Sequence, residues 1–258
     1  MIDRRVFLGT LGASAAWTAV PLWHCENGAI ASSSRKHITL NGEWKRYVGG
    51  RPWDIVTVPS SLRPSGFYSL KRDFVLSGLS ARERAFLHFE GITYCGKLSM
   101  NGGQLGVLGP YVPYEFEVTD FVRNAKNEVE VQIADLVPWP DSTGKYELAI
   151  GVNQGWEAYS GIIRDAWLEI RPASFVENVR LAYQLDANLQ SVTLQPRVIV
   201  ASRDACSGKV KCILLRNGTV AAETSRPAQF SGGLNESKCL STCRIAPCGR
   251  RTNRIFTN

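Results

Sequence analysis

Aromatic and acidic side chains are gathered between residues 139 and 157. They are Trp139, Asp141, Tyr146, Trp156 and Glu157. Aromatic faces pack on the C–H surfaces of pyranose rings, and carboxylates accept hydrogen bonds from sugar hydroxyls. The combination predicts contact with a carbohydrate. The alternative is that the rings belong to the core of a β-rich fold, because large apolar rings are usually buried.

Asp141 and Glu157 also supply two carboxylates, the minimum that hydrolysis of a glycosidic bond requires. A small standalone hydrolase that uses this pair is a further alternative. It is disfavoured because both carboxylates must be held on opposite sides of one bond, and a loop at the edge of a sheet does not fix that separation. We therefore predict no catalytic residue in this chain.

Other chemistries find no support in the residues. The three histidines are scattered, and neither a Gly-x-Ser-x-Gly elbow nor a phosphate-binding glycine loop occurs. Cys239, Cys243 and Cys248 are closely spaced, but a zinc site would need matched pairs and a fourth ligand. We predict no metal site and no cofactor.

The net charge of +7 is confined to the end of the chain. Residues 206–258 carry nine basic and two acidic side chains, whereas residues 1–205 carry 21 of each. Five of the seven cysteines also lie in residues 206–258. The body of the protein therefore offers no basic face to a nucleic acid, and the basic end lacks neighbouring aromatic residues for base stacking.

Residues 1–31 are typical of an export signal. Arg4 and Arg5 precede a short apolar run, and Ala29 and Ala31 are the small residues that signal peptidase requires. The string from Asp3 to Leu8 is similar to the twin-arginine signal. We predict a periplasmic or secreted protein that has no membrane contact once the signal is removed. A retained anchor is the alternative, although the apolar run is short for a membrane span.

The rest of the chain has the pattern of short strands and turns. Residues 128–133 alternate between polar and apolar types, which predicts a strand with one buried face. Asn217-Gly218 separates two further strands as a tight hairpin turn, and Pro196 implies an edge or a bulge. No long amphipathic helix is evident. The fold class is therefore predicted to be all-β and built of antiparallel sandwiches.

Four short motifs follow one another along the chain in an order that is typical of a known family. Residues 89–91 read Phe-Glu-Gly, residues 101–102 Asn-Gly, residues 116–120 Phe-Glu-Val-Thr-Asp, and residues 160–168 Ser-Gly-Ile-Ile-Arg-Asp-Ala-Trp-Leu. Their order and spacing resemble the N-terminal sugar-binding domain of glycoside hydrolase family 2. The resemblance implies a jelly-roll sandwich over residues 37–172 and a partial immunoglobulin-like β-sandwich over residues 173–238. Residues 239–258 are expected to form an irregular tail.

In that family the sugar-binding domain does not perform the chemistry, which belongs to a later catalytic barrel. The resemblance therefore implies the non-catalytic part of an exported, retaining β-glycosidase, with a β-glycoside and the barrel as partners. The change in charge and cysteine content beyond residue 205 would follow from a truncated or frame-shifted gene. The alternative is a free-standing carbohydrate-binding or assembly module that partners a separate catalytic chain.

The matched motifs also indicate structural roles. Asn101 and Gly102 are expected to form a hairpin turn in which both residues have positive φ. Asp120 is expected to cap the short turn that follows it. Arg164 resembles the arginine of the family's strand entry and would hold a neighbouring loop or the barrel, or else form a local ion pair with Asp165.

Overall fold

Every regular element among the described residues of this computed structural model is a β-strand. The described residues are 17–25, 35–62, 67–93, 95–134, 139–140, 146–147, 159–188, 191–216, 218–238 and 241–244. Of these, residues 17–25, 139–140, 146–147, 216 and 241–244 are described as backbone only. The predicted all-β class is confirmed. Within these ranges no helix has the length and apolar character that a membrane span requires.

The strands follow one another closely along the chain. They are β1 Trp17–Cys25, β2 Lys36–Thr39, β3 Gly42–Val48, β4 Arg51–Val58, β5 Phe67–Val75, β6 Glu83–Phe89, β7 Ile92–Thr93, β8 Cys95–Met100, β9 Gly103–Leu108, β10 Tyr114–Glu117, β11 Lys126–Ala134, β12 Trp139–Pro140, β13 Tyr146–Glu147, β14 Gly161–Ile162, β15 Ala166–Pro172, β16 Ser174–Leu185, β17 Ser191–Ser202, β18 Cys206–Arg216, β19 Thr219–Phe230, β20 Gly233–Lys238 and β21 Ser241–Arg244. The chain divides into two units, one of Ser33–Pro172 and one of Ala173–Asn258 together with Met1–Ser32.

Two antiparallel sheets enclose the core of the unit Ser33–Pro172. One has the strand order β10-β6-β15-β2, and the other has the order β4-β3-β5-β11-β8-β9. Strand β11 explains how they pack: Val129, Val131 and Ile133 are buried, while the residues between them face outward. This period of two directs one face of each strand into the shared core. Fully buried side chains from both sheets, among them Trp44 and Leu168, fill it.

The second unit has a smaller core. Its sheets have the orders β16-β17-β20, with β21 also paired to β17, and β1-β18-β19. Val198, Val200, Val210 and Phe230 form its buried apolar cluster. Pro196 was expected at an edge or a bulge. It lies inside β17, at the point where that strand changes partner from β21 to β20, so the missing amide falls in a gap between two ladders.

Several sequence predictions stay predictions. Trp17–Cys25, part of the predicted export signal, pairs with β18, and N-terminal sequencing of the exported protein would test whether the signal is removed. Within the tail predicted to be irregular, Ser241–Arg244 pairs with β17, and the rest of residues 239–258 lies outside the described residues. The assignment of residues 37–172 to a jelly roll and of residues 173–238 to a partial immunoglobulin-like sandwich also stays a prediction.

Candidate functional site

The predicted carbohydrate contacts lie between the end of β11 and Tyr159, in residues 135–158, called here the 135–158 segment. Within it, β12 pairs with β13, so that Trp139 faces Glu147 and Pro140 faces Tyr146. The side chains of Trp139 and Tyr146, and the whole of Asp141, Trp156 and Glu157, lie outside the described residues. Their contact with a sugar therefore stays a prediction.

The point at which the 135–158 segment rejoins the sandwich is held by buried hydrogen bonds. The hydroxyl of Thr93 donates to the carbonyl of Tyr159 over 2.8 Å. The hydroxyls of Tyr68 and Ser160 lie 2.7 Å apart in the interior. Leu62 and Ser160 exchange both backbone hydrogen bonds, at 2.7 and 2.9 Å. The sandwich thus fixes where the segment ends, as a binding loop on a rigid scaffold requires.

Gly161 follows this anchor, at a position that leaves little room for a side chain. Its φ is +117°, a conformation that L side chains rarely adopt. A Cβ placed there would meet the carbonyl oxygen of Ser60 at 3.2 Å and Cγ of Leu62 at 3.4 Å. Ser60 and Leu62 therefore pack directly against the backbone of residue 161, which explains why this position of the motif is a glycine.

Asp165 stabilises the start of β15 through partners other than its neighbour Arg164. Nδ2 of Asn41 donates to Oδ1 of Asp165, and Oδ1 of Asn41 accepts from the amide of Ala166, both over 2.9 Å. No ion pair joins Arg164 to Asp165 among the ion pairs of the described side chains. Arg164 is exposed and its side chain lies against Gly91. A role in holding another loop or the barrel stays a prediction.

The turn between β8 and β9 has both predicted features. Asn101 has a φ of 50° and Gly102 one of 84°. The side-chain Nδ2 of Asn101 also donates to the carbonyl of Phe121 and to Oδ1 of the buried Asn127, both over 2.8 Å. Asp120 is exposed in the next turn, where the amide of Phe121 donates to the carbonyl of Val118. Capping by the Asp120 side chain stays a prediction.

An ionic cluster with a buried centre lies on the outer face of the four-stranded sheet and was not anticipated. The Arg171 guanidinium donates to Glu169 over 2.7 Å and makes two bonds to Glu115. Arg35 donates to the other oxygen of Glu169 over 3.0 Å, and Nε2 of His88 lies 3.1 Å from Glu169. Glu169 and Arg171 are each only 4% exposed. We call these five residues the ionic cluster.

Aromatic rings flank the ionic cluster and help to exclude water from it. The Trp167 ring lies between His88 and His37, with centroid distances of 4.7 and 6.1 Å and an interplanar angle of 8° in each case. The Arg171 guanidinium carbon is 4.2 Å from the centroid of the Phe86 ring. Such cation–π contact gains strength when the pair is desolvated.

The electrostatics of the ionic cluster favour its charged state. Burial alone would raise the pKa of Glu169. Hydrogen bonds from His88 and Arg171, with the charges of Arg171 and Arg35, outweigh it and hold that pKa well below its ordinary value. Burial would lower the pKa of Arg171, yet the carboxylates of Glu115 and Glu169 raise it.

Three side chains of the ionic cluster could in principle ligate a metal. Ligand atoms of His88, Glu115 and Glu169 lie within 4.8 Å of one another. However, the Arg171 guanidinium already bridges both carboxylates, so a cation of the protein itself holds the position. The geometry therefore fits a structural ionic cluster rather than a metal centre.

Comparisons with known proteins agree on one family. Residues 36–172 match the model described as "Glycosyl hydrolases family 2, sugar binding domain". A putative beta-glucuronidase of Formosa agariphila is 23% identical over 156 residues, which are 60% of this chain and 17% of that protein. A beta-galactosidase of Oenococcus oeni is 26% identical over 164 residues, 63% of this chain and 14% of that protein. The chain thus spans less than a fifth of these relatives.

Solved structures resemble the chain over a longer range. A putative beta-galactosidase from Bacteroides fragilis superposes with a TM-score of 0.65 at 19% identity, covering 82% of this chain and 35% of that one. A beta-glucuronidase from glycoside hydrolase family 2 superposes with a TM-score of 0.65 at 14% identity, and the match covers 84% of this chain and 27% of that one. At these identities the likeness establishes the fold.

Proposed function

The chain belongs to glycosyl hydrolase family 2 through its sugar-binding domain, and we propose that residues 36–172 bind the sugar of a β-glycoside without performing the chemistry. The observation that carries this proposal is the match of the sugar-binding domain over that whole unit. The firmly anchored return of the 135–158 segment supports it, because binding residues are commonly displayed on loops that a rigid sandwich positions.

In this proposal the sugar is contacted by the 135–158 segment. Its candidate residues are Trp139, Asp141, Tyr146, Trp156 and Glu157. The rings would pack on sugar C–H faces and the carboxylates would accept hydroxyl hydrogen bonds. The buried anchors at Ser160 and Gly161 support a defined position for the segment's end.

The hydrolysis itself is assigned to a catalytic barrel, either continuous with this chain or encoded as a separate one. The relatives named beta-galactosidase and beta-glucuronidase motivate a β-glycoside as substrate. A retaining barrel would hold two carboxylates about 5 Å apart. Reading the DNA beyond the codon of Asn258 distinguishes a continuous barrel from a partner chain.

We expect residues 1–258 to hydrolyse no glycoside above background, because a loop at the edge of a sheet does not hold an acid and a nucleophile at a fixed separation on opposite sides of one bond. The measurement is an assay with nitrophenyl β-galactoside, β-glucuronide, β-mannoside and β-glucoside. Turnover that is abolished by Glu157→Gln or Asp141→Asn would contradict this expectation and establish a standalone hydrolase instead.

A further inference from the structure

A continuous row of side chains crosses five strands on the outer face of the six-stranded sheet. Its members, paired one to the next by the strand register, are Tyr47, Ser69, Gln132, Lys97 and Val107. They all point away from the core because the residues beside them, such as Leu70 and Leu98, are buried. With neighbouring strands about 4.8 Å apart, the row spans roughly 19 Å.

A second row lies two residues further along the strands on the same face. It has a large side chain at one side and small side chains elsewhere. Here Phe67 pairs with Ala134, and Ala134 pairs with Cys95. Phe67 is 57% exposed, whereas the other two side chains are small. An open groove of about 390 Å³ runs along the two rows and is bordered also by the turn at Gly49 and Gly50. We call it the sheet groove.

The lining of the sheet groove combines the groups that recognise sugars. The rings of Phe67 and Tyr47 offer apolar faces, while Ser69 and Gln132 offer a hydroxyl and an amide that both donate and accept hydrogen bonds. Aromatic walls with a few polar groups are the usual composition of small-molecule sites. The lining therefore suits a ligand that is apolar on its ring faces and polar at its edges.

The charge of the sheet groove is set by Lys97. The neighbouring cation on this face, Lys71, is already paired with Glu128 at 3.2 Å and Glu130 at 3.1 Å. Among the described side chains no carboxylate lies within ion-pair distance of Lys97, which is exposed. Within the part of the chain that the structure describes, the groove thus presents one exposed ammonium group that suits an anionic ligand.

We propose that the sheet groove binds an oligosaccharide that carries carboxylate groups, with its chain lying across the strands. Lys97 pairs with a carboxylate, Phe67 packs on a sugar ring, and Gln132 bonds a hydroxyl. The residues that line this site differ from those of the 135–158 segment, and the site would deliver a polymer chain to the protein rather than a single terminal sugar. The span of the row exceeds one monosaccharide, which is why the ligand is an oligomer.

Calorimetric titration of the full chain tests the proposal. The probes are hexamers of β-1,4-mannuronate and α-1,4-galacturonate, with neutral β-1,4-mannohexaose as the control that differs from the first only at C6. We expect at least one uronate hexamer to bind about tenfold more tightly than mannohexaose, because a charge-assisted bond is stronger than a neutral one. Lack of binding by both uronate hexamers would overturn the proposal.

Matched variants locate the binding. Lys97→Met is expected to weaken uronate binding about tenfold, whereas Lys45→Met, a lysine on the same sheet face that is paired with Asp73, should not. Phe67→Ala should weaken it, whereas Trp53→Ala, exposed on the edge strand β4, should not. Equal effects of the two members in either pair would refute a site in the sheet groove. Urea unfolding of each variant excludes loss of fold as the cause.

Cysteine labelling gives an independent readout. Burial raises the pKa of the Cys95 thiol in the sheet groove, so alkylation is carried out at pH 9. A saturating uronate hexamer should slow labelling of Cys95 but not of Cys206 or Cys212, two free cysteines in the other unit. Equal protection of all three would contradict the proposal. Trp156→Ala should leave this protection intact, which separates it from sugar binding by the 135–158 segment.

Discussion

Replacing Arg171 with Met is expected to lower the free energy of unfolding by about 3 kcal/mol, the lower end of the usual cost of breaking a buried ion pair, because Glu169 keeps other partners. Glu169 is 4% exposed and would keep Arg35 and His88 as polar partners, with Nε2 of His37 3.5 Å away, while Glu115 would lose two bonds. Urea unfolding followed by tryptophan fluorescence measures the loss, because five of the seven tryptophans lie within residues 35–172.

Arg84→Met is the matched control. Arg84 lies on the same face and pairs with Glu117, but that carboxylate is 42% exposed, so we expect a loss of about 1 kcal/mol or less. Adding Glu169→Gln to Arg171→Met should recover part of the stability, since the uncompensated charge is removed. A loss from Arg171→Met no larger than that from Arg84→Met would contradict the structural role of the ionic cluster.

The depressed pKa of Glu169 also predicts a pH dependence. An unfolded glutamate titrates near pH 4.3, and the folded one titrates well below that value. The stabilisation is therefore complete above about pH 5 and is lost as the pH falls through the acid range. Glu169→Gln should flatten this acid limb of the stability curve without changing its shape near neutrality.

Gly161→Ala is the second large effect that we expect, at about 1–3 kcal/mol of lost stability from the positive φ alone. The added Cβ would also press on the carbonyl oxygen of Ser60 at 3.2 Å, so backbone must move. Gly102→Ala is the control: its φ is +84°, and nothing lies within 4 Å of an added Cβ. The Gly161 variant should therefore be the less stable of the two in urea.

Because Gly161 follows the return of the 135–158 segment, its substitution should also weaken carbohydrate binding, whereas that of Gly102 should not. Equal stability losses for the two variants would mean that the close packing at Ser60 and Leu62 relaxes freely. The anchor would then not fix the segment as we describe.

Local patterns in the sequence predicted local structure well. The alternation in residues 128–133 specifies strand β11 and its buried face, and Asn101-Gly102 specifies a tight turn, because each depends only on neighbouring residues. The roles of Arg164 and Asp165 were harder to predict, since the hydrogen-bond partner of Asp165 is Asn41, more than a hundred positions away. One sequence gives no register between distant strands.

The same limit explains why the ionic cluster and the sheet groove were missed. Glu169 and Arg171 alternate with Leu168 and Ile170, a pattern that predicts a solvated outer face. Their burial arises because rings and charges from β2, β6 and β10 meet them across the sheet. Likewise, the neighbours of Lys97 in the groove come from strands whose pairing only the fold reveals.

The central claim, that residues 36–172 bind the sugar of a β-glycoside through the 135–158 segment, is tested most directly by calorimetric titration of the full chain with methyl β-galactoside, β-glucuronide, β-mannoside and β-glucoside. We predict saturable binding of at least one of them, which is lost in a variant that combines Trp156→Ala with Glu157→Gln and retained in Trp53→Ala. Absence of binding by all four glycosides, or binding that survives substitution of Trp139, Asp141, Tyr146, Trp156 and Glu157 together, would contradict the account.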